Sequence, residues 1–415
     1  MNRLFRIMSM VLLVCCFFGG GQVDAENTLK AAFVRDGHLW IKQGEQETQI
    51  TKEGFVWSPV WSRDGKWIAY LKSAEEFGEG IVWVYNSETE KNFNLNYQGE
   101  NLQWAPHKNL LAFQPQLGIN VTELQGDEPG KTADVARGVN NFSWLPDGKG
   151  FLASADANLL PDGWTNPILY KIKLEKDLQP SEEFANATRY FTIPSPLKKG
   201  GITLPAIGTS KFAWSPDQKW IAFLVSPTAS WSMDSNLLCV LSADGKTFEV
   251  LDEMAAGFPF SWAPTKSKLG YIEGEGRIVF GFRDKNLKVQ EFTVAKSLEL
   301  TPDRMVDLAF AWKNNNHVIV SRASERDWSN QPSERVFPQL FQIDLHNKEQ
   351  KQLSFPPNGY GDFNPEFLES SQKLTWTRSN WETNDIWISA TDGTSARKWI
   401  QNVSDQSSIS WFETR

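Results

Sequence analysis

Short apolar segments recur along the whole chain, and polar turn sequences separate them. Typical examples are "KWIAYL", "IVWVYN", "KWIAFLV" and "DIWISA", which are rich in β-branched and aromatic residues. Segments of this length and composition, bounded by Gly, Pro, Asn and Asp, predict β-strands. Helical periodicity is nearly absent after residue 25, which argues against helical repeats. The pattern therefore predicts an all-β protein.

One sequence motif, which we call the phrase, lies between these strands and recurs with small changes. It reads "WSRDGKWIAY" from Trp61, "WLPDGKGFLAS" from Trp144 and "WSPDQKWIAFLVS" from Trp214. Pro and Asp favour a tight turn, and Gly adopts the left-handed conformation that such a turn requires. We call the aromatic residue at the start of each unit the anchor. The anchors are Trp61, Trp104, Trp144, Trp214, Trp262, Trp312, Phe367 and Trp411.

Most anchors lie about 40 to 55 residues apart, a period typical of propeller blades. The interval between Trp144 and Trp214 is longer, and we interpret 158–167 and 182–209 as loop insertions. Each unit is expected to hold four strands, the first ending at the anchor and the third being an apolar run such as 277–282. The fourth strand is expected near Phe93, Phe248, Phe292, Leu353 or Trp399. Four short strands per repeat predict a β-propeller.

The two ends of the chain complement each other. Residues 30–51 supply a second, third and fourth strand, whereas the C-terminal "SSISWFETR" supplies only an anchored first strand. Joining them leaves no sheet edge unpaired. We therefore expect an eight-bladed β-propeller over residues 26–415, closed by pairing of the N- and C-terminal strands. The alternative is seven blades, if the Phe367 unit does not form a blade of its own.

The phrases "WSPDQKWIAF" and "WSRDGKWIAY" resemble the repeat of the TolB-like propeller family, also called the WD40-like or PD40 repeat. The resemblance implies the propeller fold. The family includes TolB, which binds partner proteins, and the propellers of prolyl-oligopeptidase-type enzymes, which filter substrate for a hydrolase domain. TolB itself carries an α/β domain before a six-bladed propeller, and here the first predicted strand begins close to Ala25. We therefore transfer no partner-binding residues from TolB.

The first 25 residues are typical of a secretory signal peptide. Arg3 and Arg6 precede an apolar run over 10–18, and small residues lead to a cleavage site at Ala25. The run is too short for a permanent membrane span. We expect a secreted protein, extracellular or periplasmic, without a membrane span. Cys239 is then the remaining cysteine, and we expect it to be a small buried apolar residue.

Charge and composition narrow the classes of partner. The formal net charge of −8 argues against nucleic acid, since phosphate binding needs clustered Lys and Arg. The four histidines, which are spread along the chain, form no zinc motif and no nucleophilic triad. They are His38, His107, His317 and His346. We predict no metal site, no catalytic residue and no cofactor.

A tryptophan recurs between the second and third strands of four units. The sequences are "DGWTNP" at Trp164, "ASWSMDSN" at Trp231, "RDWSNQ" at Trp328 and "SNWETND" at Trp381. Three of these loops also contain an asparagine near the next strand, at Asn166, Asn236 and Asn384. Such loops share one face of a propeller, where aromatic and amide side chains can hold a peptide or a glycan. The alternative is that these residues pack blade against blade.

Three hypotheses for function follow. The first is a secreted, monomeric, non-enzymatic propeller that binds a protein or polymer at the cell envelope through these tryptophans. The second is a lyase or hydrolase with its site in the central channel, using charged residues predicted at strand ends. These are Arg35, Asp36, Arg322, Arg326, Asp327 and Arg378. The third is a structural or assembly scaffold without a small ligand.

Overall fold

The computed structural model describes residues 29–175, 178–180, 186–228, 235–255, 257–274, 282–292, 296–404 and 409–413. The predicted signal peptide and its cleavage site lie outside this part of the chain. Regular structure in the described part is nearly all β, with a short 3₁₀ turn at Pro332–Glu334. None of its helical segments is long and apolar enough to cross a membrane.

Eight four-stranded antiparallel sheets form the blades of a closed propeller. Blade 1 consists of β1 (Lys30–Arg35), β2 (His38–Gln43), β3 (Gln46–Gln49) and the C-terminal β36 (Ile409–Phe412). Blade 2 consists of β4 (Phe55–Trp61), β5 (Trp67–Ser73), β6 (Ile81–Asn86) and β7 (Lys91–Gln98). Blade 3 consists of β8 (Glu100–Trp104), β9 (Leu110–Gln114), β10 (Gly118–Glu123) and β11 (Thr132–Arg137).

Blade 4 carries the longest insertions. Its strands are β12 (Asn141–Trp144), β13 (Gly150–Ala155), β16 (Ile168–Lys173) and β17 (Ala187–Thr192). Two separate hairpins accompany it, formed by β14 (Leu159–Leu160) with β15 (Gly163–Trp164), and by β18 (Leu197–Lys199) with β19 (Ile202–Leu204). Blade 5 consists of β20 (Gly208–Trp214), β21 (Trp220–Ser226), β22 (Asn236–Ser242) and β23 (Phe248–Met254).

The remaining blades return to the simple pattern. Blade 6 consists of β24 (Phe260–Trp262), β25 (Lys268–Glu273), β26 (Asn286–Glu291) and β27 (Lys296–Glu299). Blade 7 consists of β28 (Met305–Asn314), β29 (His317–Ser324), β30 (Gln339–Asp344) and β31 (Gln350–Gln352). Blade 8 consists of β32 (Gly361–Leu368), β33 (Lys373–Ser379), β34 (Asn384–Ala390) and β35 (Arg397–Ile400).

The ring closes as the two ends of the sequence predict. Strand β36 pairs antiparallel with β1, and Ala31 lies opposite Trp411. The eight-bladed count is confirmed, because the unit anchored at Phe367 forms blade 8. The ring of Phe412 also lies against Gly65 in the first turn of blade 2, where an added Cβ would meet that ring at 2.4 Å. Closure is therefore secured both by strand pairing and by side-chain contact with the next blade.

In four blades the anchor tryptophan connects the blade to the one before it. Four anchor indoles donate their N–H to the backbone carbonyl that precedes the anchor of the previous blade. The bonds run from Trp104 to Val60 (3.1 Å), Trp144 to Gln103 (3.2 Å), Trp262 to Ala213 (2.9 Å) and Trp312 to Ser261 (3.1 Å). Each of these rings fills the space between two sheets, and its indole N–H has a hydrogen-bond acceptor there. The anchors are structural.

In blades 2 and 5 the turn after the anchor is held by its own side chains. Ser62 Oγ donates to Asp64 Oδ1 (2.7 Å) and accepts the backbone N–H of Trp67 (2.9 Å). Gly65 has φ of 71°, a conformation that glycine adopts without steric cost. The equivalent turn of blade 5 uses Ser215 and Asp217 in the same way, bonded at 2.6 Å. This is why the phrase recurs with Ser, Asp and Gly at fixed places.

Two details of the predicted strand pattern are wrong. The outer strand of blade 4, Ala187–Thr192, lies inside the segment 182–209 that we interpret from sequence as an insertion. In blade 6 the third strand is Asn286–Glu291 rather than the apolar run 277–282, and Phe292 follows this strand instead of marking the fourth. Except for Phe282, the run 277–282 lies outside the described residues.

We expect Trp262→Phe to lower the free energy of unfolding by about 1 kcal/mol more than Trp214→Phe, because a net hydrogen bond of about that size is lost. Both anchors are half-buried, but only Trp262 donates its indole N–H, whereas the Trp214 Nε1 has no partner in the described structure. Urea unfolding of the two variants gives the difference. Equal losses would show that the indole bond contributes nothing.

Candidate functional site

Two kinds of connection emerge on the same side of the ring. Successive strands alternate in direction, so the loops between second and third strands share a side with the links between blades. We call this side the upper face, and the side that carries the turns after the anchors the lower face. The tryptophan loops predicted as a binding site belong to the upper face.

Trp328 and Trp381, from the upper-face loops of blades 7 and 8, contact each other at a ring-centroid distance of 6.2 Å. Phe282 of blade 6 stacks on Trp328 at 5.5 Å, and Phe363 of blade 8 meets Trp381 edge-on at 5.0 Å. Both tryptophans are half-buried. We call these four rings, together with Arg335, the rim cluster.

Arg335 completes the rim cluster with a positive charge. Its guanidinium lies 4.2 Å from the ring centroid of Trp328 and 5.3 Å from that of Trp381, within cation–π range. Its Nε donates to the carbonyl of Ser329 (2.9 Å), which fixes the loop around the Pro332–Glu334 turn. The guanidinium is planar and keeps further donors for a carboxylate or a carbonyl.

The backbone of Trp381 is held in an unusual conformation. Its φ is 72°, in the left-handed region that bulky residues rarely adopt. Ser379 Oγ accepts its backbone N–H (2.9 Å), and its indole donates to the carbonyl of Val336 (2.9 Å). These bonds hold the ring over the neighbouring loop of blade 7. Sparsely populated conformations that the surroundings enforce are frequent at binding sites.

The other predicted site residues lie elsewhere. Trp164 is 42% exposed on the β14–β15 hairpin of blade 4, outside the rim cluster, and Trp231 lies outside the described residues. The side chains of Asn166 and Asn236 donate to carbonyls beside the outer strand, those of Ile193 (2.7 Å) and Met254 (3.5 Å). Asn384 begins β34 and its backbone carbonyl accepts from Val403.

The charged residues considered for a catalytic site are engaged in pairs. Buried Arg322 bonds the Asp307 carboxylate twice, at 2.5 and 2.6 Å. Arg378 bonds Asp362 in the same way at 2.7 and 2.9 Å. The equivalent position of these pairs in blades 7 and 8 indicates that they fasten the first strand to the second.

The other four charged residues considered for a catalytic site lie near the upper face. Three of them are bonded to a partner, and the fourth lies in a turn. Arg35 pairs with Glu47 at 2.8 Å, and Asp327 with Arg283 at 2.7 Å. Arg326 donates to the carbonyl of Glu334 at 2.9 Å, and Asp36 occupies a left-handed turn with φ of 51°. Within the described ranges, no group of three His, Cys, Asp or Glu could hold a metal ion.

A cavity of about 420 Å³ lies at the axis of the ring. Residues of the inner strands β8, β12 and β20, with the segment leading into β24, form its wall, so four successive blades share it. Its polar side chains include Asn101, Gln103, Asn141 and Lys211. Gln103 links two blades by donating to the carbonyl of Phe142 (2.9 Å). We call this space the axial cavity.

A β-bulge recurs three residues before the anchor in four blades. At each bulge the pairing of the first and second strands shifts, and one residue has φ between 45° and 54°. The residues are Ser58, Asn101, Lys211 and Asn364. All four are exposed, because the bulge turns their side chains out of the sheet. Two of them, Asn101 and Lys211, line the axial cavity.

Glu366 occupies the position directly before the anchor of blade 8. In blades 3, 4 and 5 the same position lines the axial cavity, so Glu366 faces the axis from the other side. Its side chain is open to solvent within the channel, yet protein surrounds it, and this desolvation raises its pKa to about 7. A hydrogen bond from Trp411 opposes the shift, and the charge of Glu413 adds to it.

Comparisons with solved structures show the fold of this chain. A dihydro-heme d1 dehydrogenase, NirN, in complex with DHE is 12% identical at a TM-score of 0.56, with 94% of this chain and 75% of that one covered. Dipeptidyl peptidase 4 of Porphyromonas gingivalis is 9% identical at 0.55, with 91% and 59% covered. At such identities the likeness concerns the fold alone.

The propeller that a resemblance to the TolB-like family implies is confirmed by the eight blades themselves. TolB of Acinetobacter baumannii is also among the similar structures, 14% identical at a TM-score of 0.36, with 93% of this chain and 67% of that one covered. This chain spans 55% of a similar puromycin hydrolase, so the peptidase structures contain further parts. No family model and no curated protein matches the chain.

We expect Glu366→Gln to stabilise the protein increasingly as the pH rises. The folded pKa of about 7 lies above the ordinary value of 4.5, so folding favours the protonated carboxyl. That favourable contribution is present below pH 4.5 and is lost as the pH rises through 7. Gln stays neutral and still accepts a bond from Trp411. The melting temperatures of variant and wild type should nearly agree at pH 4 and diverge at pH 8, and a pH-independent difference would contradict this account.

Proposed function

We propose that this chain is an exported, non-enzymatic propeller that binds a protein at the cell envelope through its upper face. The observation that carries the proposal is the rim cluster, where two adjacent loops present half-buried tryptophans beside a guanidinium. Trp and Arg are the residues that most often dominate binding energy at protein interfaces. Hydrogen bonds from Arg335 to Ser329 and from Trp381 to Val336 already hold the cluster, so little order is lost on binding.

The acidic surface supports a protein partner over an anionic polymer. With a formal net charge of −8, the chain repels polyanions at long range. The positive charge of Arg335 is local and already stacked on two rings. A partner that inserts a carboxylate or a backbone carbonyl between apolar contacts fits this arrangement.

Export is supported by the N-terminal sequence. We expect the mature protein to begin at Glu26, after cleavage behind Ala25, and to be found outside the cytoplasm. Intact-mass measurement of protein purified from the native host tests this. A protein that retains residues 1–25 and stays in the cytoplasm would contradict the proposal.

The binding face can be tested by site-specific photo-crosslinking in native cells. A photoreactive residue at Asn330, exposed beside the rim cluster, should capture one defined partner, whereas the same group at Asn347, exposed on the lower face of blade 7, should not. Trp328→Ala should lower the yield of that product at least about tenfold, the effect of about 1.4 kcal/mol.

Two measurements control this experiment. Circular dichroism and the melting temperature of Trp328→Ala establish that its loss of capture does not reflect unfolding. Equal capture from Asn330 and Asn347, or full capture by a folded Trp328→Ala, would overturn the assignment of the upper face.

A further inference from the structure

Lys211 lines the axial cavity at a bulge position where three other blades carry a small polar residue. At the equivalent left-handed bulges of blades 2, 3 and 8 the residues are Ser58, Asn101 and Asn364. Asn tolerates the left-handed conformation because its short polar side chain bonds locally, whereas lysine gains no such compensation. Lys211 therefore occupies a conformation that the backbone alone does not favour. Its ammonium group offers a reason for its presence.

The charge of Lys211 lacks an opposite charge in the protein. Its Nζ lies 6.0 Å from the ring centroid of Phe260, and no carboxylate of the described residues pairs with it. Protein surrounds the side chain, and this desolvation lowers its pKa. The side chain nevertheless stays exposed within the cavity, as at the other bulges, so its ammonium group is open to an anion that enters there.

Further polar groups at the cavity wall also lack partners. Asn141 Nδ2 and Ser143 Oγ are buried and make no hydrogen bond in the described structure, and both residues line the cavity. Ser143 is only 9% exposed. Buried polar atoms in native proteins are nearly always bonded, so these two atoms mark a stretch of wall whose hydrogen bonding is incomplete. They lie on the inner strand of blade 4, the neighbour of the strand that carries Lys211.

We propose that the axial cavity binds the carboxylate of an acidic peptide segment, with Lys211 as its ion-pair partner. The exposed amide of Asn101 bonds the peptide backbone with the donor and acceptor capacity that its contacts to Phe142 and Gln103 leave over. Amide side chains match peptide groups in both donors and acceptors. A sugar acid fits less well, because the three rings at the cavity offer no stacking surface: Phe142 is 1% exposed, and Phe212 and Phe260 are each 8% exposed. The inference rests on the proposed protein-binding function and names the chemistry of the partner.

The test is to pan a phage-displayed library of random dodecapeptides on the immobilised full chain. Peptides enriched on the wild type should share an Asp or Glu at one position, and replacing that carboxylate by its amide should weaken a synthetic peptide at least about tenfold. Lys211→Asn, which introduces a residue found at two sister bulges, should remove the acidic preference without lowering the melting temperature. Lys198→Asn removes the same charge from the exposed β18–β19 hairpin and should change neither result.

The outcomes separate this inference from the proposed function. Enriched peptides without acidic residues, or an unchanged preference on Lys211→Asn, would overturn the axial site while leaving the rim cluster to its own test. If an oligogalacturonate probe binds more tightly than the acidic peptides and its binding depends on Lys211, the inference that the ligand is a peptide would be overturned. Loss of acidic-peptide binding in Lys211→Asn but not in Trp328→Ala would support the cavity as a site separate from the rim cluster.

Discussion

Pairing between the first and last strands is the constraint on which the rest of this molecule depends. Four residue pairs between β1 and β36 complete blade 1 and close the ring. Without them blade 1 would lack its inner strand, and Trp61 would lose the neighbour whose Phe412 ring it contacts at 5.7 Å. The axial cavity and the rim cluster both need a fixed ring, because each is assembled from several blades. Closure thus sets the geometry that any ligand meets.

The blade count could be predicted because its determinants are local. Ser62, Asp64 and Gly65 form their turn with bonds inside six residues, so the phrase appears in the sequence wherever the turn occurs. The strand prediction is wrong in blade 6, where it rests on hydrophobicity alone. The third strand of blade 6, "NLKVQE", alternates apolar and polar residues, whereas the nearby run 277–282 is more apolar and attracted the assignment. A strand that is buried on one face alternates apolar and polar residues. This alternation is a weaker sequence signal than a continuous apolar run.

The candidate sites were only partly foreseeable, since both join residues from separate blades. Trp328 and Trp381 could be singled out by their shared loop position, but their contact through Phe282 and Arg335 depends on the angle between blades. The separation of Trp164 from them has the same origin, as blade 4 lies far around the ring. The role of Lys211 could not be predicted in this way, because charged residues are common just before a strand that ends in an aromatic residue. Its position three residues before the anchor, shared with Ser58, Asn101 and Asn364, was the available signal.

The recurring bulge also bears on how such a protein can diversify. Its residue stands outside the strand ladder, so a substitution there changes the lining of the channel without altering the packing between sheets. Blades 3 and 5 therefore each supply one cavity side chain, Asn101 and Lys211, that can change independently of the core. Exchange of these side chains therefore alters the groups that the axial cavity presents to a ligand, and the packed core between the blades is not involved.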